Sequence, residues 1–125
     1  MSTEFKAAAR AVFDVWNSGD LARLDALVAA DVIHHDPYDP HGPAGLAGMK
    51  TTITDRRAVY PDMAFAIHHQ LADDDKVATH WTATMTHDGR PVTLTGITID
   101  RFADGKIVEA WRVMDMLGFN RQLTL

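Results

Sequence analysis

Apolar side chains recur at helical spacing in three stretches of the first half of the chain. The spacing of three and four predicts a first helix over residues 3–17, where the apolar positions form one stripe. A second helix is predicted from Asp20, a suitable N-cap residue, to about Asp31, and a third over about residues 45–59. The positions that carry this pattern are Phe5, Ala8, Val12 and Trp16, then Leu21, Leu24, Leu27 and Val28, then Leu46, Met49, Ile53 and Tyr60.

From Asp62 onward the apolar period changes to two, which is typical of strands. Four segments, MAFAIHHQLA, KVATHWTATMTH, PVTLTGITIDRF and KIVEAWRVMDML, are predicted as long strands joined by the short turns DDDK, DGRP and ADGK. A shorter strand is predicted at about residues 32–36, where Pro37 ends it, and YDPHGPAG is predicted as a loop. The resulting order of elements is ααβαββββ.

This order predicts an α+β fold in which three N-terminal helices pack on one face of a curved, mainly antiparallel sheet. Long strands that bend around a few helices leave a cone-shaped cavity between the two layers, and a ligand site would lie there. The length of 125 residues fits one domain, residues 1–125, and suffices for a hydrophobic core.

Composition and charge exclude several classes of function. The net charge of -5 and the scattered Lys and Arg residues disfavour binding to nucleic acid. The absence of cysteine excludes disulfides, thiol nucleophiles and zinc–thiolate sites. No P-loop, Rossmann glycine pattern, GxSxG, HxH or HExxH occurs, so neither a cofactor nor a metal is expected. The start lacks a signal-peptide pattern, and no apolar run approaches the roughly 20 residues of a membrane helix, which favours a cytoplasmic protein.

The last predicted strand carries a candidate catalytic carboxylate. Side-chain alternation places one set of residues together: Ile107, Glu109, Trp111, Val113 and Asp115. If that side faces the cavity, apolar surroundings favour the neutral form of Asp115, which can then exchange protons with an enolisable carbonyl compound. The alternative is that Asp115 ends the strand in water and caps a turn before Gly118.

The stretch VIHHDPYDP, residues 32–40, places titratable side chains where an apolar strand is expected to begin. Alternation separates its two histidines, because His34 shares a face with Asp36 and His35 takes the opposite one. The stretch is either the wall of a pocket or a solvated polar loop. His80 lies on a second polar row with three threonines, and this row faces either solvent or a wet pocket.

Four segments together resemble the SnoaL-like polyketide cyclase family: WNSGDLARLDALVAADVIHHDP, GLAGMKTTITDRRAVYPDM, DDDKVATHWTATMTHDG and DGKIVEAWRVMDMLGFNRQL. The resemblance runs from about Trp16 to Leu123 and is most specific in an E-x-W-x-x-x-D segment followed by G and QL. The residues of this motif are Glu109, Trp111, Asp115, Gly118, Gln122 and Leu123. The family belongs to the superfamily of nuclear transport factor 2 and ketosteroid isomerase.

The resemblance implies a cone-shaped α+β barrel, usually a homodimer, with a pocket that needs no cofactor. In the cyclases the aspartate of the final motif is the acid/base of an intramolecular aldol closure of a polyketide ester, and this role falls on Asp115. The family's polar cluster near the first short strand corresponds to His35 and its neighbours. His80 stands where family members often have an arginine, which changes this edge of the pocket.

Two other branches of the superfamily fit less well. The ketosteroid isomerase base aligns with Asp36, but the other isomerase residues fall near Val12 and Thr98, so the isomerase oxyanion hole is missing. Limonene epoxide hydrolases activate water with an Asp-Arg-Asp relay, and alternation sends Arg112 to the face opposite Asp115.

The first hypothesis is therefore a cofactor-independent cyclase or isomerase that does acid/base chemistry on a small carbonyl substrate. Its predicted catalytic residues are Asp115, His35 and His80, and its predicted substrate-binding residues are Asp36, His34, Trp111, Val113 and Tyr60. The second hypothesis is a non-catalytic ligand-binding or dimerisation module, in which an apolar outer sheet face includes Trp81 and Met85. An epoxide-hydrolase-like hydrolase is the third.

Overall fold

The computed structural model describes residues 2–124, which form four helices and a five-stranded sheet. In chain order the elements are α1 (Ser2–Ser18), a 3-10 turn (Leu21–Arg23), α2 (Leu24–Leu27), β1 (Val28–His35), α3 (Gly45–Val59), β2 (Ala64–Asp73), β3 (Lys76–His87), β4 (Arg90–Ala103), β5 (Lys106–Met114) and α4 (Met116–Leu123). The α+β class and the order ααβαββββ are confirmed, and a C-terminal helix is added. None of the helices in residues 2–124 has the length and apolar character needed to span a membrane.

Two predicted boundaries are wrong. The second helix ends at Leu27 rather than near Asp31, and β1 begins at Val28. A short apolar run fits the helical period and the strand period equally well. Here Val28 pairs with Ile107 of β5, so the segment from Val28 onward forms a strand. At the other end β5 stops at Met114, and the segment predicted as its tail forms α4.

The sheet has the strand order β1-β5-β4-β3-β2. Strands β2 to β5 are joined by antiparallel hairpins, and β1 pairs with β5 in parallel, so the sheet is mainly antiparallel as predicted. In the turns after β3 and β4, Asp88-Gly89 and Asp104-Gly105 have positive φ angles of 51° to 79°. These are the backbone angles of type I′ turns, which match the twist of the flanking strands.

The core lies between the helices and the inner face of the sheet. Along β3 every second side chain is buried: Val77, Thr79, Trp81, Ala83 and Met85. The Trp81 ring lies 6.2 Å from Phe13 of α1 and 5.2 Å from Phe65 of β2. The expectation that Trp81 and Met85 belong to an apolar outer face is therefore wrong, since both are core residues.

The row of β3 that carries His80 forms part of the outer face of the sheet, because it alternates with these buried residues. A bulge between Ile67 and His69 of β2 turns both His68 and His69 to the same outer face. His69 lies with its Nδ1 atom 3.1 Å from Nδ1 of His80, and His68 Nε2 lies 2.8 Å from the hydroxyl of Thr82. These three histidines therefore lie outside the space between the two layers.

A second bulge reverses the side-chain alternation of β5. Ile107 pairs with Phe102 and Glu109 with Arg101, so Val108 is an extra residue in the ladder. Both Ile107 and Ala110 are consequently buried, although they are three positions apart. Beyond the bulge the inward positions are Ala110, Arg112 and Met114, and the outward ones are Glu109, Trp111 and Val113. The predicted common face from Ile107 to Asp115 is wrong for this reason.

The start of α4 is held by Asp115, whose Oδ1 atom accepts a hydrogen bond of 2.9 Å from the Gly118 amide. A Cβ atom on Gly118 would overlap the Asp115 carboxylate, which explains the glycine. At the other end of α4 the Gln122 side chain accepts from the Thr93 amide and donates to the Thr93 carbonyl, both at 2.8 Å. The Gln122 side chain thus pairs the backbone N–H and C=O groups of Thr93 on β4, at a point beyond the end of β5.

Replacement of Asp115 by Ala is expected to lower the free energy of unfolding by about 1 kcal/mol, because the cap of α4 is lost. Chemical denaturation measures this difference. Asp14→Ala is the matched control, since it removes the same exposed carboxylate from the interior of α1. Equal stabilities of the two variants would contradict the capping role.

Candidate active site

A cleft of about 330 Å³ opens at the edge of the sheet where β1 ends. Strand β1 pairs with β5 only as far as His35 and Trp111, while β5 continues to Met114. The loop after β1 closes the other side, and the Tyr38 hydroxyl donates a 2.6 Å hydrogen bond to the Met114 carbonyl. The lining residues are His34, His35, Asp36, Pro37, Pro40, Trp111, Arg112 and Val113. Residues of both sheet faces contribute because the cleft lies at a strand end.

An ion pair between Arg112 and Asp36 forms the inner wall of the cleft. Arg112 Nη2 donates to Asp36 Oδ2 at 2.6 Å, and Asp36 Oδ1 accepts from the Tyr38 amide at 2.9 Å. The Asp36 side chain is 13% exposed and that of Arg112 is 32% exposed, so the pair is largely shielded from water. The Nε atom of Arg112 is buried and has no partner within residues 2–124. This buried Nε atom is closed to a ligand, but among the described residues the guanidinium donates only to Asp36, so its exposed part keeps donors for another group.

His34 lies on the same face of the sheet, next to this pair. Its backbone pairs with Ala110 of β5. Desolvation lowers the pKa of His34, and the neighbouring positive charge of Arg112 lowers it further, while Asp36 partly offsets the shift. A histidine with a lowered pKa is neutral at neutral pH, so this imidazole can accept a proton.

His35 lies on the other face and is held by a carboxylate. Its Nε2 atom is 2.7 Å from Glu109 Oε2, and Arg101 Nε donates to Glu109 Oε1 at 3.0 Å. These hydrogen bonds, from His35 first and then from Arg101, lower the pKa of Glu109. An ionised carboxylate only accepts, so Nε2 of His35 carries the hydrogen. The His35 ring also stacks on Trp111, with centroids 5.3 Å apart and planes 13° apart.

A third carboxylate, that of Asp100, is buried on the inner face of the sheet and does not line the cleft. Asp100 of β4 pairs with Ala110 of β5 and Val77 of β3, and it is 6% exposed. Burial raises the pKa of Asp100 to about 7. Its neighbour in the next row is Thr98, which pairs with Arg112 and accepts a 3.0 Å hydrogen bond from Trp81 Nε1.

The cleft brings together five residues nominated by the sequence: His34, His35, Asp36, Trp111 and Val113. Alternation predicted that only one of the two histidines points inward, and the structure agrees: His34 lies on the inner face and His35 on the outer one. Both nevertheless line the cleft, because a cleft at the end of a strand is open to both faces of the sheet.

Three nominated residues lie elsewhere. Asp115 is exposed beyond the end of β5 and caps α4 through the Gly118 amide, as the alternative interpretation predicted, so the position in the cavity beside Trp111 is wrong. His80 lies on the outer face of the sheet. Tyr60 follows α3, with its ring 6.3 Å from those of Phe119 and His87. The acid/base role assigned to Asp115 by resemblance stays a prediction.

Sequence reasoning missed the roles of Arg112 and Glu109 at the cleft and the burial of Asp100. Arg112 was assigned to the wrong face because no glycine or proline marks the bulge at Val108. Asp100 had a readable signal, since it occupies an apolar phase of β4: Val92, Leu94, Gly96, Thr98, Asp100 and Phe102. Glu109 stands in the family motif, yet only the fold brings it to His35.

The groups at this site can move a proton on a bound molecule while stabilising negative charge on a neighbouring oxygen atom of that molecule. Arg112 supplies a fixed positive charge with free donors, and His34 supplies a neutral base. No group of three or more His, Cys, Asp or Glu side chains in residues 2–124 converges as metal ligands would.

The chain belongs to the SnoaL-like polyketide cyclase family, whose defining sequence pattern matches residues 6–123. Solved structures of the same fold include IdmH, a proposed polyketide cyclase from Streptomyces antibioticus, which is 28% identical. The two chains are covered to 97% and 99%, respectively, with a TM-score of 0.87. A proposed polyketide cyclase from Bacillus cereus is 30% identical over 98% of this chain and 82% of its own, with a TM-score of 0.88.

AclR from Streptomyces galilaeus, a proposed hydroxylase, is 26% identical over 99% of this chain and 98% of its own. Its TM-score is 0.86, so proteins named for different reactions share this fold. No curated protein sequence matches the chain.

Replacement of Asp100 by Asn is expected to change how stability depends on pH. The folded chain keeps its Asp100 proton up to about pH 7, whereas the unfolded chain releases it near the ordinary value of 3.8. Folding is therefore less favourable as pH rises between these values, and the native chain loses stability relative to Asp100→Asn. The expected loss between pH 5 and pH 8 is on the order of 2–3 kcal/mol.

Denaturation of both chains at several pH values measures this difference, and other titrating groups cancel in the comparison. Asp55→Asn, an exposed position on α3, is the control and is expected to show no such trend. A parallel pH dependence of native chain and Asp100→Asn would show that Asp100 titrates normally.

Proposed function

We propose that the chain is a cofactor-independent enzyme of cyclase or isomerase type, which moves a proton on a small carbonyl substrate in the cleft. The observation that carries this proposal is the Arg112–Asp36 pair, with its free guanidinium donors beside a neutral histidine. Membership of the cyclase family supports the reaction class.

Arg112 is proposed to hold the carbonyl oxygen of the substrate. Charge develops on that oxygen when the neighbouring carbon loses a proton, and a fixed cation in a shielded site stabilises it. Asp36 keeps the guanidinium in place through the 2.6 Å bond, and the Tyr38 amide keeps Asp36 in place. No reorganisation is then needed when the charge appears.

His34 is proposed to accept the proton. The C–H bond beside the carbonyl breaks, its proton goes to the imidazole, and the electron pair moves to the oxygen at Arg112. In an isomerisation the proton returns at another carbon, and in an aldol closure the carbanion attacks a second carbonyl of the same molecule. Trp111, Val113, Pro37 and Pro40 supply the apolar part of the wall, which suits the carbon skeleton of such a substrate.

The acid/base role that the family resemblance implies for Asp115 competes with the role proposed for His34. An exposed helix cap offers no desolvation to favour a carboxylic acid, so we assign the proton transfer to the cleft residues instead. The replacement Asp115→Asn separates the two roles, because Asn caps a helix as well as Asp does but cannot transfer the proton.

Exchange of the methyl protons of acetophenone for deuterium in D2O, followed by proton NMR, tests the proposed function. The native chain is expected to accelerate this exchange. Arg112→Met and His34→Gln are each expected to lower the enzymatic rate roughly 100-fold, the usual effect of losing an oxyanion donor or a general base. Asp115→Asn is expected to keep the native rate.

Two variants serve as controls at exposed positions outside the cleft. Arg23→Met removes an arginine from the 3-10 turn, and His41→Gln removes a histidine from the loop after β1. Both are expected to exchange at the native rate. If the native chain exchanges the methyl protons no faster than a folded Arg112→Met variant, the proposal is wrong. If Asp115→Asn loses the exchange rate, the proton transfer belongs to Asp115.

A second candidate function, self-association, is favoured by the outer face of the sheet. Apolar side chains project there from four strands, with exposed fractions of 53% for Ile33, 73% for Leu71, 49% for Ile97 and 60% for Val113. Exposed apolar side chains of this kind are typical of protein–protein contacts, and here they lie beside the polar row of His69, His80 and Thr82. We propose that two copies of the chain associate through this face, which would also shield the outer side of the cleft.

Replacement of Ile97 by Lys is expected to convert the dimer to a monomer, because an ammonium group would be buried in the contact. Light scattering coupled to gel filtration measures the mass. Val59→Lys is the matched control, since Val59 is 65% exposed on α3 in the other layer. A native chain that is monomeric, or a dimer that persists in Ile97→Lys, would refute the assignment of this face.

A further inference from the structure

His35 is a second imidazole at the cleft, in addition to that of His34. Both residues line the cleft, although they pair with Trp111 and Ala110 of β5, respectively, and project from opposite faces of the sheet. The cleft lies beyond the end of β1, so it is open on the inner side to His34 and on the outer side to His35. A flat molecule bound there can meet one imidazole on each of its faces.

The ring of His35 is held in one orientation by its neighbours. Glu109 Oε2 lies 2.7 Å from Nε2 of His35, and Arg101 Nε holds the other Glu109 oxygen through a 3.0 Å hydrogen bond. The ring also lies against Trp111, with the two planes 13° apart. Because Nε2 donates to the carboxylate, Nδ1 is the nitrogen that can take up or release a proton, and it has no hydrogen-bond partner within residues 2–124.

A carboxylate beside an imidazole is an arrangement in which a histidine transfers protons. The carboxylate fixes the tautomer of the ring and stabilises the imidazolium when it forms. The hydrogen bonds from His35 and Arg101 lower the pKa of Glu109, so this carboxylate is ionised at neutral pH. The His35 side chain is 46% exposed, so water can supply or remove the Nδ1 proton between turnovers.

We propose that His34 and His35 act as two bases on opposite sides of the cleft, so that the chain inverts the configuration of the carbon atom next to the substrate carbonyl. The inference rests on the proposed function and adds to it the origin of a second proton. A single base returns the proton to the face that it came from, which retains the configuration. Inversion needs a second donor on the other side of the carbon atom, and His35 is the cleft residue that supplies it. The substrate class is a ketone or ester with a single hydrogen on that carbon.

The proton balance of the inversion closes over the two histidines and water. The C–H bond on the inner side breaks, its proton goes to His34, and its electron pair moves to the oxygen at Arg112. The electron pair then returns to carbon, and a new C–H bond forms on the outer side with the proton from Nδ1 of protonated His35. His34 is left protonated and His35 neutral, and exchange of one proton with water at each ring restores the starting state.

Single enantiomers of sec-butyl phenyl ketone, in which a chiral carbon replaces the methyl carbon of acetophenone, test the inference in D2O. Chiral chromatography measures inversion, and mass spectrometry measures deuterium uptake in each enantiomer. The native full chain is expected to convert one enantiomer into the other, with deuterium at the inverted carbon. The readout is the ratio of inversion to exchange, which a smaller amount of folded protein leaves unchanged.

In His35→Gln this ratio is expected to fall roughly 100-fold, because His34 alone returns deuterium to the face that lost the proton. Glu109→Gln is expected to lower the ratio about 10-fold or more, since a neutral amide does not stabilise the imidazolium. Two matched controls at exposed positions, His41→Gln and Glu4→Gln, are expected to keep the native ratio.

Exchange with retained configuration in the native chain would mean that His34 works alone, so the inference is then wrong while the proposed function stands. The inference is also wrong if a folded His35→Gln variant keeps the native ratio. If that variant does not fold, the native stereochemistry and the ratio in Glu109→Gln decide.

If the native chain exchanges acetophenone but not the larger ketone, propiophenone takes its place. Replacement of both hydrogens next to the carbonyl group supports two bases, and replacement of only one overturns the inference. A native chain that exchanges none of these ketones removes the proposed function and the inference together.

Discussion

One extra residue in β5 determines which side chains can meet in this protein. Val108 has no partner of its own between the pairs Ile107–Phe102 and Glu109–Arg101, so the alternation of β5 reverses at that point. Side chains on a strand have a period of two, and a shift of one residue moves every later one to the other face. Arg112 consequently points to the inner face, where Asp36 lies, and Trp111 and Val113 point outward.

The Asp36–Arg112 pair that results connects fold and site. It joins the loop after β1 to the strand that β1 leaves, and the Tyr38 amide and hydroxyl complete the same connection. A shielded ion pair gains little net stability, because the desolvation of both charges offsets much of their attraction. Its value here is orientation, since a guanidinium held by one carboxylate presents its remaining donors in fixed directions. The same contact therefore closes the cleft and orients the guanidinium donors of Arg112 within it.

The residues of the family motif fall into two groups, one that holds α4 in place and one that lies at the cleft. Asp115, Gly118 and Gln122 hold α4 against the end of β4 by hydrogen bonds to backbone groups. Glu109 and Trp111 lie at the cleft, where they hold the ring of His35 from the side and from below. A motif can thus mark a family through its architecture as much as through its chemistry, and membership leaves the reaction to be argued from the site.

The sequence by itself determined the fold class, the order of elements and the hairpin turns, because periodicity and Asp-Gly turns act over a few residues. It also nominated His34, His35, Asp36, Trp111 and Val113, since polar groups at a strand end stand out locally. Only the tertiary structure decided the direction of Arg112, the capping position of Asp115 and the burial of Asp100 beside Ala110. Those depend on the register between distant strands, and a bulge that no glycine or proline announces is set by packing across the sheet rather than by its own residues.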